Sequence, residues 1–452
     1  MMKKKVSMLF TGKDLRKLII PLMVEQMLAL TVGLADSIMV STSGEAAVSA
    51  VSLVDAVSIL VINIFAALAT GGAVVAGQYL GARNEKSACK ATEQLIIFNI
   101  IAGIVIMILM FVGMDFILTT VFGKIEPDVM DFARRYMTIV MMAVPFIAIY
   151  NSGAAILRTM GNSSLSLIIS SVMNAINVAG NAILIYVFDF EVEGVAIPTL
   201  VSRIVAAVCV IVILRNQNLV LHIGKHFRFV PDFKVIKKIL RIGIPSGVEN
   251  SMFQLGKILL LSMISAFGTV QITANAISNT VAGIEIIPGI AMGMAMVTVV
   301  SRCVGAGDYE QVKYYTKKLM KYSLISMTVL NAIVLCLLPL IMSIYGLSEE
   351  TAEASYQILV FHSICAMVIW PFSFVLPNAL RAANDAQYTM IVGVCSMWLC
   401  RIVVGVVLAK YIGLKTFGTW IAMVIDWVVR SLFFVIRSFK LLKNDRYQVI
   451  NL

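Results

Sequence analysis

Charge is what this chain lacks most. Only 13% of its 452 residues are Asp, Glu, Lys or Arg, where soluble domains carry roughly 25%. Together with 60% hydrophobic residues and a mean hydropathy of +0.93, that excludes a soluble fold. Cysteine is sparse too: the seven present form no CxxC pair and no Cys/His cluster at metal-ligand spacing, so neither a disulfide framework nor a zinc module is expected. Histidine is scarcer still. His222, His226 and His362 stand apart in sequence and are expected to be loop or packed residues. HExxH, GxSxG, a P-loop and paired intramembrane aspartates are all missing, so the chain is not expected to be an enzyme or to draw on ATP itself. No cofactor is expected.

What is present in quantity is long apolar runs. Twelve stretches of about 20 residues recur, each able to cross a hydrocarbon core of roughly 30 Å as a helix. They lie near residues 18–40, 51–77, 95–114, 136–156, 165–187, 194–214, 242–266, 274–300, 322–345, 356–376, 388–408 and 417–436. The fold class is therefore an all-α integral membrane protein with 12 transmembrane helices. The first run is too long for a signal peptide and lacks a small-residue cleavage site, so it is expected to stay.

The formal net charge of +11 does not point to nucleic acid, because its distribution follows the membrane. Lys3, Lys4, Lys5, Lys13, Arg16 and Lys17 open the chain, and Arg83, Lys86, Lys90, Arg215, Lys225, Arg228, Lys234, Lys237, Lys238, Arg241, Arg302, Lys313, Lys317, Lys318, Lys321, Arg437, Lys440, Lys443 and Arg446 fall on the same side. The opposite loops hold Asp128, Asp131, Asp189, Glu191, Glu193, Glu349, Glu350 and Glu353. By the positive-inside rule, both termini of this multi-pass protein are expected in the cytoplasm, with the chain in the cell inner (plasma) membrane.

The second half repeats the first. KDLRKLIIP at residues 13–21 recurs as KKILRIGIP at 237–245, an offset of 245 − 21 = 224. The same offset carries Glu25 onto Glu249, Gly44 onto Gly268, Ala50 onto Ala274, Gly81 onto Gly305 and Gly194 onto Gly418. With small indels, Pro145 answers Pro371 and Arg158 answers Arg381. Six spans per half return the chain to its starting side, so the expected arrangement is two six-helix bundles related by a pseudo-twofold axis along the membrane normal. Their expected limits are residues 1–214 and 239–452, with residues 215–238 as a polar, Lys-rich linker that reads as a flexible hinge.

Against this apolar background a few polar residues stand out. A charge within a span costs roughly 2.5–3.5 kcal/mol on insertion scales, so it needs partners or a wet cavity. Asp36 lies five residues from the end of the first span, Asn181 five from the end of the fifth, and Thr199 five into the sixth. At 1.5 Å per residue all three sit roughly 7–8 Å below one membrane face. Asn177 is one turn from Asn181 on the same helix face. At the repeat offset Asp36 becomes Leu260, Thr199 becomes Met423, and the two asparagines fall near Cys400 and Val404. The fold therefore does not require these four residues, and a functional site is the expectation. One carboxylate with neutral oxygens suits Na⁺, or a proton on the carboxylate, and does not suit zinc or copper.

Over nearly its full length the chain resembles bacterial multidrug and toxic compound extrusion (MATE) transporters. The resemblance rests on GLADSIMV (33–40), GQYLGA (77–82), LRTMGN (157–162), NVAGN (177–181) and GVAIPT (194–199), in that order. It implies a cation site in the first half formed by an Asp of the first span, two residues four apart in the fifth and a Thr of the sixth, which fall on Asp36, Asn177, Asn181 and Thr199. Acidic positions that some members carry in the second half are occupied here by Phe253 and Trp370, which puts coupling sites of those kinds in doubt.

The second half has buried charges of its own. Lys257 and Glu285 lie at depths that would let them pair near the midplane, and Arg401, Asp426 and Arg430 form another group, with Asp426 and Arg430 at i, i+4. Glu25, with its neighbour Gln26, and Glu249 lie one turn past equivalent prolines. These five, Glu25, Gln26, Glu249, Lys257 and Glu285, are candidates for substrate contact or gating. Pro21, Pro245, Pro288, Pro371 and Pro377 interrupt backbone hydrogen bonding within spans and are expected bending points. The resulting expectation is a monomeric antiporter in the lipid bilayer that uses Na⁺ or H⁺ to export amphipathic, often cationic, small organic molecules by alternating access. The rival reading is a flippase for a lipid-linked precursor, a class that often carries extra spans and a cationic cavity.

Overall fold

The computed structural model describes residues 8–123, 126–225 and 229–443. Lys3, Lys4, Lys5, His226, Arg228 and Arg446 lie outside the described residues, among which there is no strand. Every expected apolar stretch is helical. In chain order the helices are α1 (Gly12–Ser41), α2 (Glu45–Gly81), α3 (Glu85–Val112), α4 (Pro127–Met142 continued by Val144–Thr159), α5 (Ser163–Tyr186), α6 (Glu193–Leu214), α7 (Phe233–Ser265), α8 (Thr269–Glu285 continued by Ile287–Gly305), α9 (Tyr309–Tyr345), α10 (Glu349–Val368 continued by Pro371–Ala382), α11 (Ala386–Tyr411) and α12 (Lys415–Lys443).

Proline explains where these helices break. It removes one N–H and clashes with the preceding turn. α4 bends by 45° just before Pro145, and α10 by 59° just before Pro371. α8 is interrupted at Ile286, two residues before Pro288. Wider π-helical turns occupy Pro371–Val375 in α10 and both Met397–Val403 and Val407–Tyr411 in α11. Among the described residues nine helices are long and apolar enough to span a membrane, and the two bent pairs raise this to 11. The twelfth expected span is α7, whose apolar run is diluted by Glu249, Asn250, Gln254 and Lys257.

The chain divides into two compact units, Ile20–Gly247 and Met1–Ile19 with Val248–Leu452. The divisions fall inside α1 and α7, beside Pro21 and Pro245, not in the linker. In the Ile20–Gly247 unit, α2 packs on α3 and on both parts of α4, and α5 runs along α6. Its core is built from Phe65, Leu118, Met137 and Met141, all fully buried. In the other unit α8 packs on α9 and α10, and α11 on α12, around Ile277, Leu338 and Leu359. Val112, Val212, Ile344 and Leu399 remain exposed. That pattern, apolar inside and out, suits a lipid surround.

Local structure recurs at the repeat spacing. Gly44 and Gly268 precede α2 and α8 with φ of 99° and 92°, a region open to glycine because it has no Cβ. Asn84 caps α3 by accepting from the Ser87 N–H (3.1 Å), and Asp308, its counterpart, caps α9 by accepting from Gln311 (3.0 Å). Arg83 and Gly307, one residue earlier, both have positive φ.

The described part of the linker is not loose chain. Gly224 donates to Glu93 (2.8 Å), the Asp232 N–H donates to Gln94 (2.6 Å), and Lys90 pairs with Asp232 at 2.5 Å. That ammonium holds the Asp232 carboxyl below the usual aspartate range. The expected flexible hinge is thus tied along the start of α3, because Glu93, Gln94 and Lys90 there meet its backbone and its one aspartate.

Close helix approach also depends on glycine. A Cβ at Gly71 on α2 would lie 2.5 Å from the Ile239 carbonyl oxygen of α7, and backbone cannot retreat as a side chain can. Overpacking of this kind costs roughly 1–3 kcal/mol. Gly71→Ala is therefore expected to lower the melting temperature of the purified protein by several degrees. Gly12→Ala, at a site with open space, serves as the control; equal melting of both variants would refute the close approach of α2 and α7.

Candidate functional site

The site assembles where α5 and α6 come closest. Gly180 sits between Asn177 and Asn181, and a Cβ there would meet the Pro198 ring at 2.7 Å. The missing side chain lets α6 lie against α5, so the residue after the proline, Thr199, comes within reach. Asn177 Nδ2 donates to Thr199 Oγ1 at 3.0 Å. One turn along, Asn181 Nδ2 donates to Asp36 Oδ1 at 2.6 Å. The four predicted residues thus form two hydrogen-bonded pairs joined by a single turn of α5. Asn177 and Asn181 are buried, while Asp36 and Thr199 are half-buried.

Both amides spend their N–H groups on these contacts and leave their oxygens over. Asn177 Oδ1 and Asn181 Oδ1 are buried and accept no hydrogen bond from any of the described residues. A buried carbonyl oxygen without a donor costs about 1–3 kcal/mol. Two of them beside a carboxylate make a hard-oxygen cradle that a cation would complete. Among the described residues no cluster of three His, Cys, Asp or Glu could hold a soft metal.

Three further residues belong here that sequence reading missed. Asp55 on α2 accepts from Tyr136 Oη on α4 at 3.2 Å. Asp55 and Arg203 both lie near enough to act electrostatically on Asp36, and Arg203 acts on Asp55 as well. Arg203 stands one turn after Thr199 on α6. The expected lone acid is therefore two acids and one guanidinium, which still sum to a single negative charge when all are ionised.

Of the gating candidates, Glu25 is buried on α1, bonded to Arg158 (3.3 Å) and to Ser166 (3.0 Å), with Gln26 half-buried beside it. The repeat counterpart is Glu249 on α7, which pairs with Arg381 (2.7 Å) and Arg430 (2.9 Å). Glu25–Arg158 and Glu249–Arg381 are the same ion pair in both halves, at offsets of 249 − 25 = 224 and 381 − 158 = 223.

The expected pairing of Lys257 with Glu285 does not occur. The Glu285 carboxylate is taken by His362 Nδ1 (2.6 Å) and by the Ser363 hydroxyl, both on α10, where α10 packs on α8. Lys257 instead lies over the Phe253 ring. Nor does Asp426 pair with Arg430: Ser396 donates to Asp426, and Arg430 turns to Glu249. His362, expected to be a packed histidine, is packed between Trp420 and Trp427 and also carries this charged contact.

The MatE family model matches residues 21–183 and again 245–407. The chain is 25% identical over 430 residues to the probable multidrug resistance protein NorM of Thermotoga maritima, covering 93% of this chain and 90% of that one. It is 24% identical to the uncharacterized transporter YisQ of Bacillus subtilis, covering 91% and 90%. Among solved structures, an outward-facing multidrug resistance MATE family transporter superposes with a TM-score of 0.88 at 21% identity over 96% of both chains. A Pyrococcus furiosus transporter, described as having a binding pocket of reversed polarity, gives 0.87 at 21% identity, again over 96% of both chains. Matched in both halves by one family model, the chain belongs to the MatE family and is a multi-pass membrane transporter of the multidrug and toxic compound extrusion type.

Proposed function

We propose that this transporter is a secondary active exporter in which Na⁺ or H⁺, bound at Asp36, drives amphipathic organic compounds out of the cell by alternating access. The observation that carries this reading is the pair of donorless amide oxygens, Asn177 Oδ1 and Asn181 Oδ1, beside the Asp36 carboxylate. Asp36, Asn177, Asn181 and Thr199 would hold Na⁺ through oxygen alone; H⁺ would be carried on Asp36 itself. The relatives named as multidrug resistance proteins support the export of organic compounds.

Coupling follows from competition for contacts. The Asn181 amide is bonded to Asp36 in this structure, and an entering cation would replace that donor with its own charge. Hydrogen bonds that hold α5 against α1 and α6 would then rearrange. Exchange is productive only if ion and cargo favour different states, since equal affinity for both shifts nothing.

Two tests follow. Dye efflux from loaded vesicles, driven separately by a Na⁺ step and a pH step, identifies the ion. Asp36→Asn keeps the shape and removes the charge, and is expected to cut efflux under the effective gradient by at least about tenfold, the equivalent of about 1.4 kcal/mol of coupling. Normal export by this variant would sink the assignment. The second test reads the neighbours' signs. Asp55→Asn is expected to raise the ion concentration needed for half-maximal efflux several-fold, and Arg203→Gln to lower it, because one removes an attracting charge and the other a repelling one. Shifts in the opposite directions would exclude Asp55 and Arg203 from the ion's field.

A further inference from the structure

The unit that contains Val248–Leu452 carries a cavity of about 350 Å³ whose lining residues all lie between 249 and 430. One part of its wall is aromatic. Trp370 stacks on Phe374 with ring centroids 4.8 Å apart, and Trp427 meets Phe374 edge-on. The rest of the wall is basic. Lys257, Arg381, Arg401 and Arg430 line the space, and Glu249 is the one acid on it.

Glu249 is already engaged, by Arg381 and Arg430. Lys257 and Arg401 are left with no carboxylate at ion-pair distance among the described residues. Both lie on the same ring: Lys257 Nζ is 5.2 Å and the Arg401 guanidinium 4.9 Å from the centre of Phe253. Arg401 is buried, and it stands in the widened π-helical turn Met397–Val403, a distortion frequent at functional sites. Asp426 and Glu285 are not among the lining residues. They are bonded to Ser396 and to His362 with Ser363. Asp426 is near enough to act electrostatically on Arg401 without forming an ion pair. Counting both acids still leaves the wall positive. Two adjacent cations in a membrane span are costly unless something negative joins them.

We propose that this cavity binds an organic anion with a flat apolar body, such as an aromatic carboxylate or sulfonate, its acid group held by Lys257 and Arg401 and its rings by Trp370 and Phe374. A guanidinium and an ammonium provide charge-assisted donors for such a group, and the aromatic wall provides the apolar contact area. The inference rests on the transport reading for its purpose and names the cargo's charge, opposite to the cationic cargo that family resemblance leads one to expect. At the repeat offset Lys257 answers Gly33, and Arg401 falls within a residue of the place of Asn177, so the basic pair is peculiar to this half.

Calorimetric titration of the full-length protein in zwitterionic nanodiscs, with empty nanodiscs subtracted, tests it without any gradient. 2-Naphthoate is expected to bind saturably, at least tenfold more tightly than 2-naphthylmethylammonium. That comparison uses the unaltered protein, so it does not depend on a variant folding. Lys257→Gln combined with Arg401→Gln is expected to weaken naphthoate binding at least tenfold, and Arg401→Lys to retain most of it. Equal or tighter binding of the ammonium probe, or naphthoate affinity unchanged in a double variant that elutes and melts like the parent, would overturn the proposal. Competition by farnesyl diphosphate sorts free organic acids from lipid-linked phosphates as the source of the anion. Failure here leaves export driven through Asp36 standing, and failure of gradient-driven efflux leaves this binding measurement readable.

Discussion

An ionised side chain among apolar helices must find a partner, and that requirement organises the polar structure of both units. The cost of a charge at the centre of a span, roughly 2.5–3.5 kcal/mol even on insertion scales, exceeds what one neutral hydrogen bond returns, about 0.5–1.5 kcal/mol. Three of the buried carboxylates accordingly draw several donors or a base. Glu25 has Arg158 and Ser166, Glu249 has two arginines, Glu285 has a histidine and a hydroxyl. These groups are satisfied, and satisfied groups fix packing. Other buried polar atoms are unpartnered among the described residues, Asn99 Oδ1, Asn331 Oδ1 and Asp426 Oδ2 among them. At two places such groups gather around a charge: two asparagine oxygens lie beside Asp36, and Lys257 and Arg401 share a ring with no described carboxylate at ion-pair distance. Where such groups cluster beside a charge, we read a partner supplied from outside.

The halves share scaffolding and diverge in charge. Glycines with positive φ before α2 and α8, helix caps at Asn84 and Asp308, and the Glu–Arg pairs recur at nearly constant spacing. These features set turns and helix ends, which the backbone needs whatever the cargo. Around them the side chains differ. The first half places Asp36 on α1 and Asn177 on α5; the second places Lys257 on α7 and Arg401 on α11, close to the equivalent positions. One backbone plan thus holds an oxygen-lined acidic site in one half and a basic, aromatic-walled cavity in the other.

Much of this was legible in the residues alone, and the limit has a physical cause. Apolar runs longer than 20 residues specify helices because no other single segment satisfies its own backbone in lipid. Asn177 and Asn181 could be placed together from their spacing, and Asp36 and Thr199 from depth, since a membrane turns position along the chain into height. Rotation about the helix axis is not given by depth. For that reason depth does not reveal Asp55, Tyr136 and Arg203, and it pairs Lys257 with Glu285 where the structure gives each a different neighbour. His362 reaches Glu285 across 77 residues, a contact settled by how α10 packs on α8. The linker was misread for a related reason: its polar residues suggested freedom, but polarity is also what bonds it to Glu93, Gln94 and Lys90.

The sign of the cargo decides what kind of engine the two sites can make together. Exchanging one inward cation for one outward cation moves no net charge, so only chemical gradients drive it. Exchanging one inward cation for one outward anion moves two positive charges inward in effect. Each charge gains about 2.3 kcal/mol per 100 mV of membrane potential, so the pair gains about 4.6 kcal/mol, roughly two thousandfold in cargo gradient. Under the exchange proposed above, a positively lined cargo cavity and a negatively charged ion site would act in one direction: each would select a ligand whose passage the potential favours. The opposed charges of the two sites, which lie close to but not at equivalent positions of the two halves, would under that exchange make a single energetic device.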